Sequence, residues 1–188
     1  MNRAIRTALT LASAQRPPAA AVGEETRLTL RVLPNDVDAM GHLNNGVYFQ
    51  LMDLGRIDLA VRLGWSGAQR RERTFPVVMQ ETITFRRSLG LGQRFELATR
   101  IAGVDARSVF YEQRFLVEEQ VCAAALVRMR FLRRGGGIDT AELWQVLGID
   151  APEITDPPEW VSAWRDGARL PSTRADASSE GAALWPLG

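Results

Sequence analysis

The segment from residue 44 to residue 63 restricts the possible folds most, because it has the pattern of a helix with too many apolar residues for a surface position. Asn44 or Asn45 is a suitable N-cap, and Gly64 follows the last apolar residue. Two faces of the segment are apolar: one carries Val47, Leu51, Leu54, Ile57 and Val61, the other Tyr48, Met52, Leu59 and Leu63. A helix of this kind has to be largely covered by other structure.

The remaining regular pattern has a period of two residues, which indicates strands. One strand is predicted before the helix and four after it: Thr26–Leu33, Val77–Arg87, Phe95–Ile101, Val109–Val117 and Val121–Arg133. The short connections between the last four predict an antiparallel meander. A sheet and one very apolar helix bury each other only if the sheet curls around the helix, so the predicted fold class is α+β with a curled antiparallel sheet wrapped around one long central helix.

We divide the chain into four parts. Residues 1–24 are predicted to form a mobile leader, 25–134 the central domain, 135–170 a C-terminal helical extension and 171–188 a flexible tail. Within the extension, Thr140–Leu147 and Pro158–Arg169 have the composition of short helices, and the second begins after two prolines.

The composition excludes several kinds of chemistry. All 23 basic residues are arginines, and the chain has one cysteine and one histidine. Lysine-based catalysis, an internal disulfide and a zinc site of histidines and cysteines are therefore excluded, and we expect no metal. A net charge of +1 predicts no nucleic-acid partner. No apolar stretch approaches the roughly 20 residues of a membrane span, and a cytoplasmic location is expected.

The stretch NDVDAMGHLNNGVY, residues 35–48, concentrates the reactive side chains at the entrance of the predicted helix. A helix N-terminus carries partial positive charge and free N–H groups, which suit an oxyanion developing on a thioester or ester carbonyl. Asp38 could act as a base for water or as a nucleophile, and His42 could orient that carboxylate or transfer a proton. The other interpretation is structural, with Asp36 and Asp38 as turn residues and Asn44 or Asn45 as a cap.

The order of helix and strands, together with the motif D-x-D-x-x-G-H-x-N-N-x-x-Y, resembles the hotdog-fold thioesterases over about residues 26–134. It is most similar to the 4-hydroxybenzoyl-CoA thioesterase-like branch of acyl-CoA thioesterases. The resemblance implies a hotdog fold and hydrolysis of an acyl-CoA or acyl carrier protein thioester, with no cofactor except coenzyme A as part of the substrate. It also implies a homodimer or homotetramer in which each active site lies between two subunits.

The resemblance also assigns roles to individual residues. Asp38 matches the aspartate that is nucleophile or base in the 4-hydroxybenzoyl-CoA enzymes, and Asn45 stands where many relatives have a histidine. The expected catalytic residues are Asp38, His42 and Asn45. The expected substrate-binding residues are Asn44, Gly46 and Tyr48, with Arg86 and Arg87 as contacts for the CoA phosphates. The acyl carrier protein thioesterases have an asparagine in place of Met40, so their mechanism does not transfer simply.

Two alternative functions remain open. The first is a non-catalytic protein that binds acyl-CoA or lipid, since the chain is longer than the hotdog core. The second is a hotdog hydratase or dehydratase, although those enzymes resemble D-x-x-x-x-H, whereas His42 follows Asp38 by four residues and Asp36 by six.

Four further residues have open or structural roles. Asp53 either supplies a catalytic acid, as in some hotdog thioesterases, or forms an ion pair with Arg56. Arg133 and Arg134 are additional candidates for phosphate contacts, or solvated charges at a strand end. Cys122 is predicted to be a small core residue.

Overall fold

The computed structural model describes residues 20–149 and 157–168. The central helix α1 spans Asn45–Arg62, and a shorter helix, α2, follows at Trp65–Glu72. The strands are β1 (Thr26–Arg31), β2 (Phe75–Phe85), β3 (Arg94–Asp105), β4 (Ser108–Val117), β5 (Gln120–Arg133) and β6 (Gly136–Ile138). Helices α3 (Thr140–Leu147) and α4 (Glu159–Gly167) follow the last strand. Most of the predicted leader and the whole predicted tail lie outside the described residues.

All strand pairs are antiparallel, and the sheet order is β1-β3-β4-β5-β2, with β6 pairing with β5. Strands β3, β4 and β5 form the predicted meander. The prediction that β2 continues this meander beside β3 is wrong, because β2 pairs with β5 at the other side of the sheet. The link of residues 86–93 can extend to about 26 Å, and the three strand spacings it has to cross amount to about 14 Å. The link between β2 and β3 is therefore long enough for the two strands to lie at different places in the sheet.

Helix α1 is enclosed by the sheet, as its two apolar faces predicted. Tyr48, Leu51, Met52, Leu54 and Leu59 are all less than 5% exposed and belong to the main hydrophobic core. The side chain of Asn44 accepts a hydrogen bond from the Gly46 amide at 2.9 Å, which makes Asn44 the N-cap. The polar residues Arg56 and Asp58 are also buried on this helix.

Two short segments were not predicted. Helix α2 begins after Gly64, whose φ of 74° reverses the chain at the end of α1. Its sequence WSGAQRRE is mostly polar, but it places the buried Trp65 and Ala68 against the core. Strand β6 lies where the three glycines 135–137 predicted only a break, since its Ile138 pairs with Phe131 of β5.

The C-terminal extension is helical, as predicted, and packs on the central domain at two places. In α3, Leu143, Trp144 and Leu147 join the main core. In α4, Val161 packs with Phe110 and Leu126 in a second cluster. Because Phe110 alternates with core residues along β4, this cluster lies on the opposite face of the sheet.

Candidate active site

The stretch that carries the reactive side chains folds as a small hairpin directly before α1. Val37 and Leu43 form an antiparallel bridge, the Asp38 amide donates to the His42 carbonyl at 2.8 Å, and the Gly41 amide donates to the Asp38 carbonyl at 3.0 Å. Gly41 has a φ of 76°, a backbone conformation that favours glycine at the tip of this turn. The hairpin fixes the loop next to the helix N-terminus.

Asp38 is exposed, and its carboxylate is held in a defined position by the hairpin. Its Oδ1 atom accepts hydrogen bonds from the Met40 amide at 2.9 Å and the His42 amide at 3.2 Å. The other oxygen, Oδ2, makes no hydrogen bond within the part of the chain that the structure describes. One carboxylate oxygen is therefore anchored and the other can interact with a bound molecule.

His42 contacts Asp38 through its backbone and not through its imidazole. The side chain is exposed and makes no hydrogen bond to any described residue. In a single chain the imidazole and the carboxylate thus do not form a hydrogen-bonded pair.

The entrance of α1, which directly follows the hairpin in the chain, offers one backbone donor. The Asn44 amide donates to the Asp36 carbonyl at 2.8 Å, and the Gly46 amide is used by the Asn44 side chain. The N–H of Asn45 has no hydrogen-bond partner among residues 20–149 and 157–168. Asn45 and Gly46 are both exposed, so a bound oxygen atom can approach this N-terminus.

Asp36, the other carboxylate of the motif, has a structural environment. It is 8% exposed, and its Oδ2 accepts a hydrogen bond from the Leu33 amide at 2.7 Å. The side chain thereby holds the short 3-10 turn at Pro34–Asp36, in agreement with its interpretation as a turn residue.

The loop between β2 and β3 lies against the hairpin. The Leu43 amide donates to the Leu89 carbonyl at 2.7 Å, and His42 forms a bridge with Gly90. Arg86 and Arg87, at the start of this loop, are exposed, and their backbone amides both donate to the Cys122 carbonyl of β5. Arg87 Nη2 also lies 3.5 Å from Cys122 Sγ, so within the described residues the hydrogen bonds of the two arginines are with β5 and not with the motif.

Tyr48 lies inside the core of the chain. It is 2% exposed, and its ring makes edge contacts with Phe85 at 5.0 Å and Phe115 at 4.8 Å between centroids. Burial raises the pKa of the Tyr48 phenol above its ordinary value. Within one chain, Tyr48 is therefore a residue of the hydrophobic core and not an exposed substrate contact.

A cavity of about 540 Å³ runs beside α1, between this helix and strands β2, β4 and β5. Its α1 wall extends from Gln50 to Val61, which corresponds to about 16 Å along the helix axis. The opposite wall includes Val78, Tyr111 and Met129. Because Gln50 is five residues beyond Asn45, the cavity begins roughly 8 Å along the helix from its N-terminus.

Charged residues lie in the wall of this cavity. Arg56 Nη2 is 2.6 Å from Asp53 Oδ1, which confirms the predicted ion pair, and 3.2 Å from Glu81 Oε1. Arg56 Nη1 donates to Gln113 Oε1 at 2.7 Å. Burial raises the pKa of the Glu81 carboxyl above its ordinary value, and the neighbouring Arg56 guanidinium opposes this shift.

The ion pair of Arg56 with Asp53 was one of the two interpretations of Asp53, but the extension of this network to Glu81 and Gln113 was not predicted. Its members come from α1, β2 and β4, and each stands alone in an alternating or helical pattern where a solvated position is the ordinary expectation. The only available signal was Arg56, which lies close to the apolar faces of a helix predicted to be covered.

Two other predicted residues have contacts of their own. Arg133 Nη1 is 2.5 Å from Glu142 Oε1 of α3, so this guanidinium has an ion-pair partner. Cys122 is fully buried in the core, as predicted.

The curled sheet around one long helix, with the polar hairpin at the helix N-terminus, defines an α+β hotdog-fold protein. The family model of the thioesterase-like superfamily matches residues 32–165. The chain therefore belongs to the thioesterase-like superfamily.

Two curated relatives are similar to this chain in sequence, and one solved structure is similar in fold. Protein THEM6 of Danio rerio is 37% identical over 134 residues, which cover 70% of this chain and 66% of the relative. Protein THEM6 of Xenopus laevis is 32% identical over 134 residues, which cover 71% of this chain and 63% of the relative. The chain thus spans slightly less than two thirds of the length of these relatives.

The solved structure is that of a probable thioesterase from Bartonella henselae, which is similar in fold. It superimposes with a TM-score of 0.57 at 22% identity, over 62% of this chain and 98% of that one. None of the helices in the described ranges has both the length and the apolar character of a membrane span.

Proposed function

We propose that this protein hydrolyses the thioester of an acyl-CoA or acyl carrier protein, with Asp38 as the base or nucleophile. The observation that carries the proposal is the exposed Asp38 carboxylate in the hairpin that directly precedes α1 in the chain, with Oδ1 anchored by two backbone amides. The remaining oxygen can accept a proton from water, which attacks the carbonyl carbon, or can attack that carbon itself. When Asp38 acts as a base, water adds to the carbonyl carbon, the carbon–sulfur bond breaks, and the proton taken by Asp38 passes to the thiolate that leaves. When Asp38 is the nucleophile, the thiolate leaves from the Asp38 acyl anhydride and takes a proton from solvent, and a water molecule then hydrolyses the anhydride, which releases the acid and restores the carboxylate.

The N-terminus of α1 would stabilise the oxyanion that forms in this step. A helix of 18 residues carries about half a positive charge at its N-terminus. In the first turn of α1, the N–H of Asn45 has no hydrogen-bond partner among the described residues. It lies at the end of the helix where the helix dipole favours a negative charge. A preorganised donor of this kind contributes about 3 kcal/mol to transition-state stabilisation in other hydrolases.

Asn44 and His42 would have supporting roles. Asn44 fixes the first turn through its hydrogen bond to the Gly46 amide, which keeps the donor in place. His42 supplies the backbone amide that orients Asp38, and its exposed imidazole would act on the proton only after substrate binds.

Arg86 and Arg87 are the candidates for holding the phosphates of coenzyme A. Both are exposed, and they directly precede the part of the loop that contacts the hairpin. Since the chain contains no lysine, cationic contacts to phosphate have to come from arginine. The acyl group would lie in the cavity beside α1, where most of the wall is apolar.

A homodimer through the edge of β2 fits the exposed surface. Strand β2 lies at one end of the sheet order, and Phe75, Val78, Met79 and Phe85 on it are 42–50% exposed. An unpaired apolar edge strand favours association with a second strand. A second copy of the chain would cover these residues and complete one wall of the cavity.

The test is release of free thiol from short, long and aromatic acyl-CoAs by the full chain and by Asp38→Asn. Asparagine keeps an oxygen for the two amides that hold Oδ1, so the fold should be retained. We expect kcat to fall by about 100-fold or more, in the range for loss of a general base. Full activity of Asp38→Asn, or no thiol release by the unchanged protein with any of these substrates, would refute the proposal.

Asp139→Asn is the matched control for this experiment. The Asp139 carboxylate also accepts a hydrogen bond from a backbone amide, that of Glu142 at 2.7 Å, but it caps α3 in the extension. Asparagine is an equally good N-cap, so this variant should keep both the stability and the activity of the unchanged protein.

Non-catalytic binding of acyl-CoA is the second candidate, because the His42 imidazole makes no hydrogen bond with Asp38 in the single chain. Binding of acyl-CoA without turnover, with the same affinity in Asp38→Asn, would favour this function over hydrolysis.

A further inference from the structure

The wall of the cavity beside α1 includes Trp65, which packs on a second tryptophan. Helix α1 lines the cavity up to Val61, and Trp65, Ser66 and Gln69 of α2 continue the lining after Gly64. The side chain of Trp65 is only 2% exposed, so its indole forms a solid part of the wall.

The indole of Trp65 is supported from behind by the C-terminal extension. Its ring centroid lies 5.9 Å from that of Trp144 in α3, at an interplanar angle of 53°. Trp144 is 5% exposed and packs in the same core as Leu143 and Leu147. Two packed rings leave little space, so Trp65 cannot move back to lengthen the cavity.

Helix α3 is itself fixed to the end of the sheet. The Thr140 hydroxyl donates to the Asp105 carbonyl at 2.8 Å, and the Thr140 amide donates to the Ala106 carbonyl at 3.1 Å. The ion pair between Arg133 and Glu142 adds a second attachment, on β5. The position of Trp144 is therefore determined by the central domain and not only by contacts within the extension.

We propose that Trp65, held in place by Trp144 of the extension, is the end wall of the acyl site and sets the longest acyl chain that the protein accepts. This inference rests on the proposed function for the nature of the ligand. An acyl chain that enters near Gln50 runs along α1 and meets the indole after about 16 Å. Chains that reach beyond this point have to leave apolar carbons in water or displace a packed ring.

Two substitutions change the length of the cavity in opposite directions. Trp65→Leu keeps an apolar core side chain but removes the ring, so the preferred chain should become longer. Ala60→Phe places a ring at a half-buried position that lines the same end, so the preferred chain should become shorter. Trp144→Leu removes the support and should shift the preference in the same direction as Trp65→Leu, but less.

The readouts are kcat/KM for thiol release over a series of saturated acyl-CoAs, and the Kd of the free saturated fatty acids by titration calorimetry. For each variant we compare kcat/KM for two substrates: the acyl-CoA preferred by the unchanged protein and the next longer acyl-CoA of the series. In Trp65→Leu the ratio of the longer to the preferred substrate should rise about tenfold, the usual effect of one or two methylenes in an apolar pocket. Trp160→Leu is the control, because Trp160 in α4 is 60% exposed and does not line the cavity.

The two readouts separate this inference from the proposed hydrolysis. If the unchanged protein, Trp65→Leu and Ala60→Phe all release thiol with the same dependence on chain length, that result would refute the role of Trp65 as end wall but not the proposed hydrolysis. Fatty-acid affinities that shift as expected, in a protein that releases no thiol, would support the end wall and refute hydrolysis. If Trp65→Leu does not fold, Ala60→Phe and Trp144→Leu decide the question in the same assays.

Discussion

Gly55 should be the position where adding a single methyl group most disturbs this fold. It lies in the middle of α1, where the helix approaches the sheet closely. A Cβ atom built at Gly55 would lie 2.5 Å from Thr99 Oγ1, 2.8 Å from Gln113 Nε2 and 2.9 Å from Leu97 Cδ2. Folded proteins essentially never show contacts this short for a Cβ atom, so Gly55→Ala requires the helix or the strands to move.

The magnitude follows from three contributions. Forcing a methyl group into a packed core costs about 1–3 kcal/mol. The clash also displaces Gln113, whose amide donates to the Met52 carbonyl at 2.9 Å and to Thr99 Oγ1 at 3.0 Å, and a buried polar group left without a partner costs about 1–3 kcal/mol. The higher helix propensity of alanine offsets about 1 kcal/mol of this loss of stability. The free energy of unfolding should therefore fall by about 3 kcal/mol.

Urea unfolding followed by tryptophan fluorescence measures this difference, and Gly67→Ala is its matched control. Gly67 is also helical, in α2, but a Cβ atom there meets no atom within 4 Å. The control should gain about 0.5–1 kcal/mol from helix propensity alone. Stabilisation by Gly55→Ala equal to that by Gly67→Ala would contradict this expectation, because α1 would then not lie as close to β3 and β4 as the structure shows.

Three further outcomes are expected. Asn44→Ala removes the cap of α1 and should lower the free energy of unfolding by about 1 kcal/mol, whereas Asn44→Asp should change it little. Equal losses of stability for the two variants in urea unfolding would contradict the capping role. Arg56→Leu leaves the carboxylates of Asp53 and Glu81 without their shared cation and should lower the free energy of unfolding by about 3 kcal/mol, measured in the same way. A smaller loss of stability than that of Asn44→Ala would contradict the network. Because burial raises the pKa of Glu81 in the folded state, the stability that its protonated form contributes is lost as pH rises through the raised pKa. The stability of Glu81→Gln relative to the unchanged protein should therefore increase from pH 4 to pH 7, and a difference that is constant with pH would show that Glu81 titrates normally.

The local patterns of the sequence predicted most of the fold. The two apolar faces of residues 44–63 predicted a covered helix, and the alternation in the rest of the chain predicted the strands within about two residues, except for β6 and for the end of β3, which continues to Asp105 and not only to Ile101. Helix α2 was missed because its polar composition resembles a loop, and only the burial of Trp65 and Ala68 against neighbouring structure stabilises it. The pairing of β2 with β5 was also missed, since a link of eight residues is long enough for either neighbour.

The site divides in the same way. The hairpin at Val37–Leu43 and the start of α1 are continuous in sequence, so the proximity of Asp38, Asn44 and Asn45 could be predicted from their spacing. The roles of these residues in catalysis remain predictions. Asp38 accepts a hydrogen bond from the backbone amide of His42 and none from its imidazole in the described residues, and this could not be deduced from a separation of four residues.

Short-range periodicity and composition were enough to predict that α1 is covered, where most strands lie, and which chemistry is available to a chain with one histidine and no lysine. These properties are present in the chain before it folds. Three other features follow only from the folded arrangement: which strands are neighbours, how Arg56 bridges Asp53 and Glu81, and how the extension places Trp144 against Trp65. Such contacts join residues far apart in the chain, and only the curvature of the sheet around α1 brings them together.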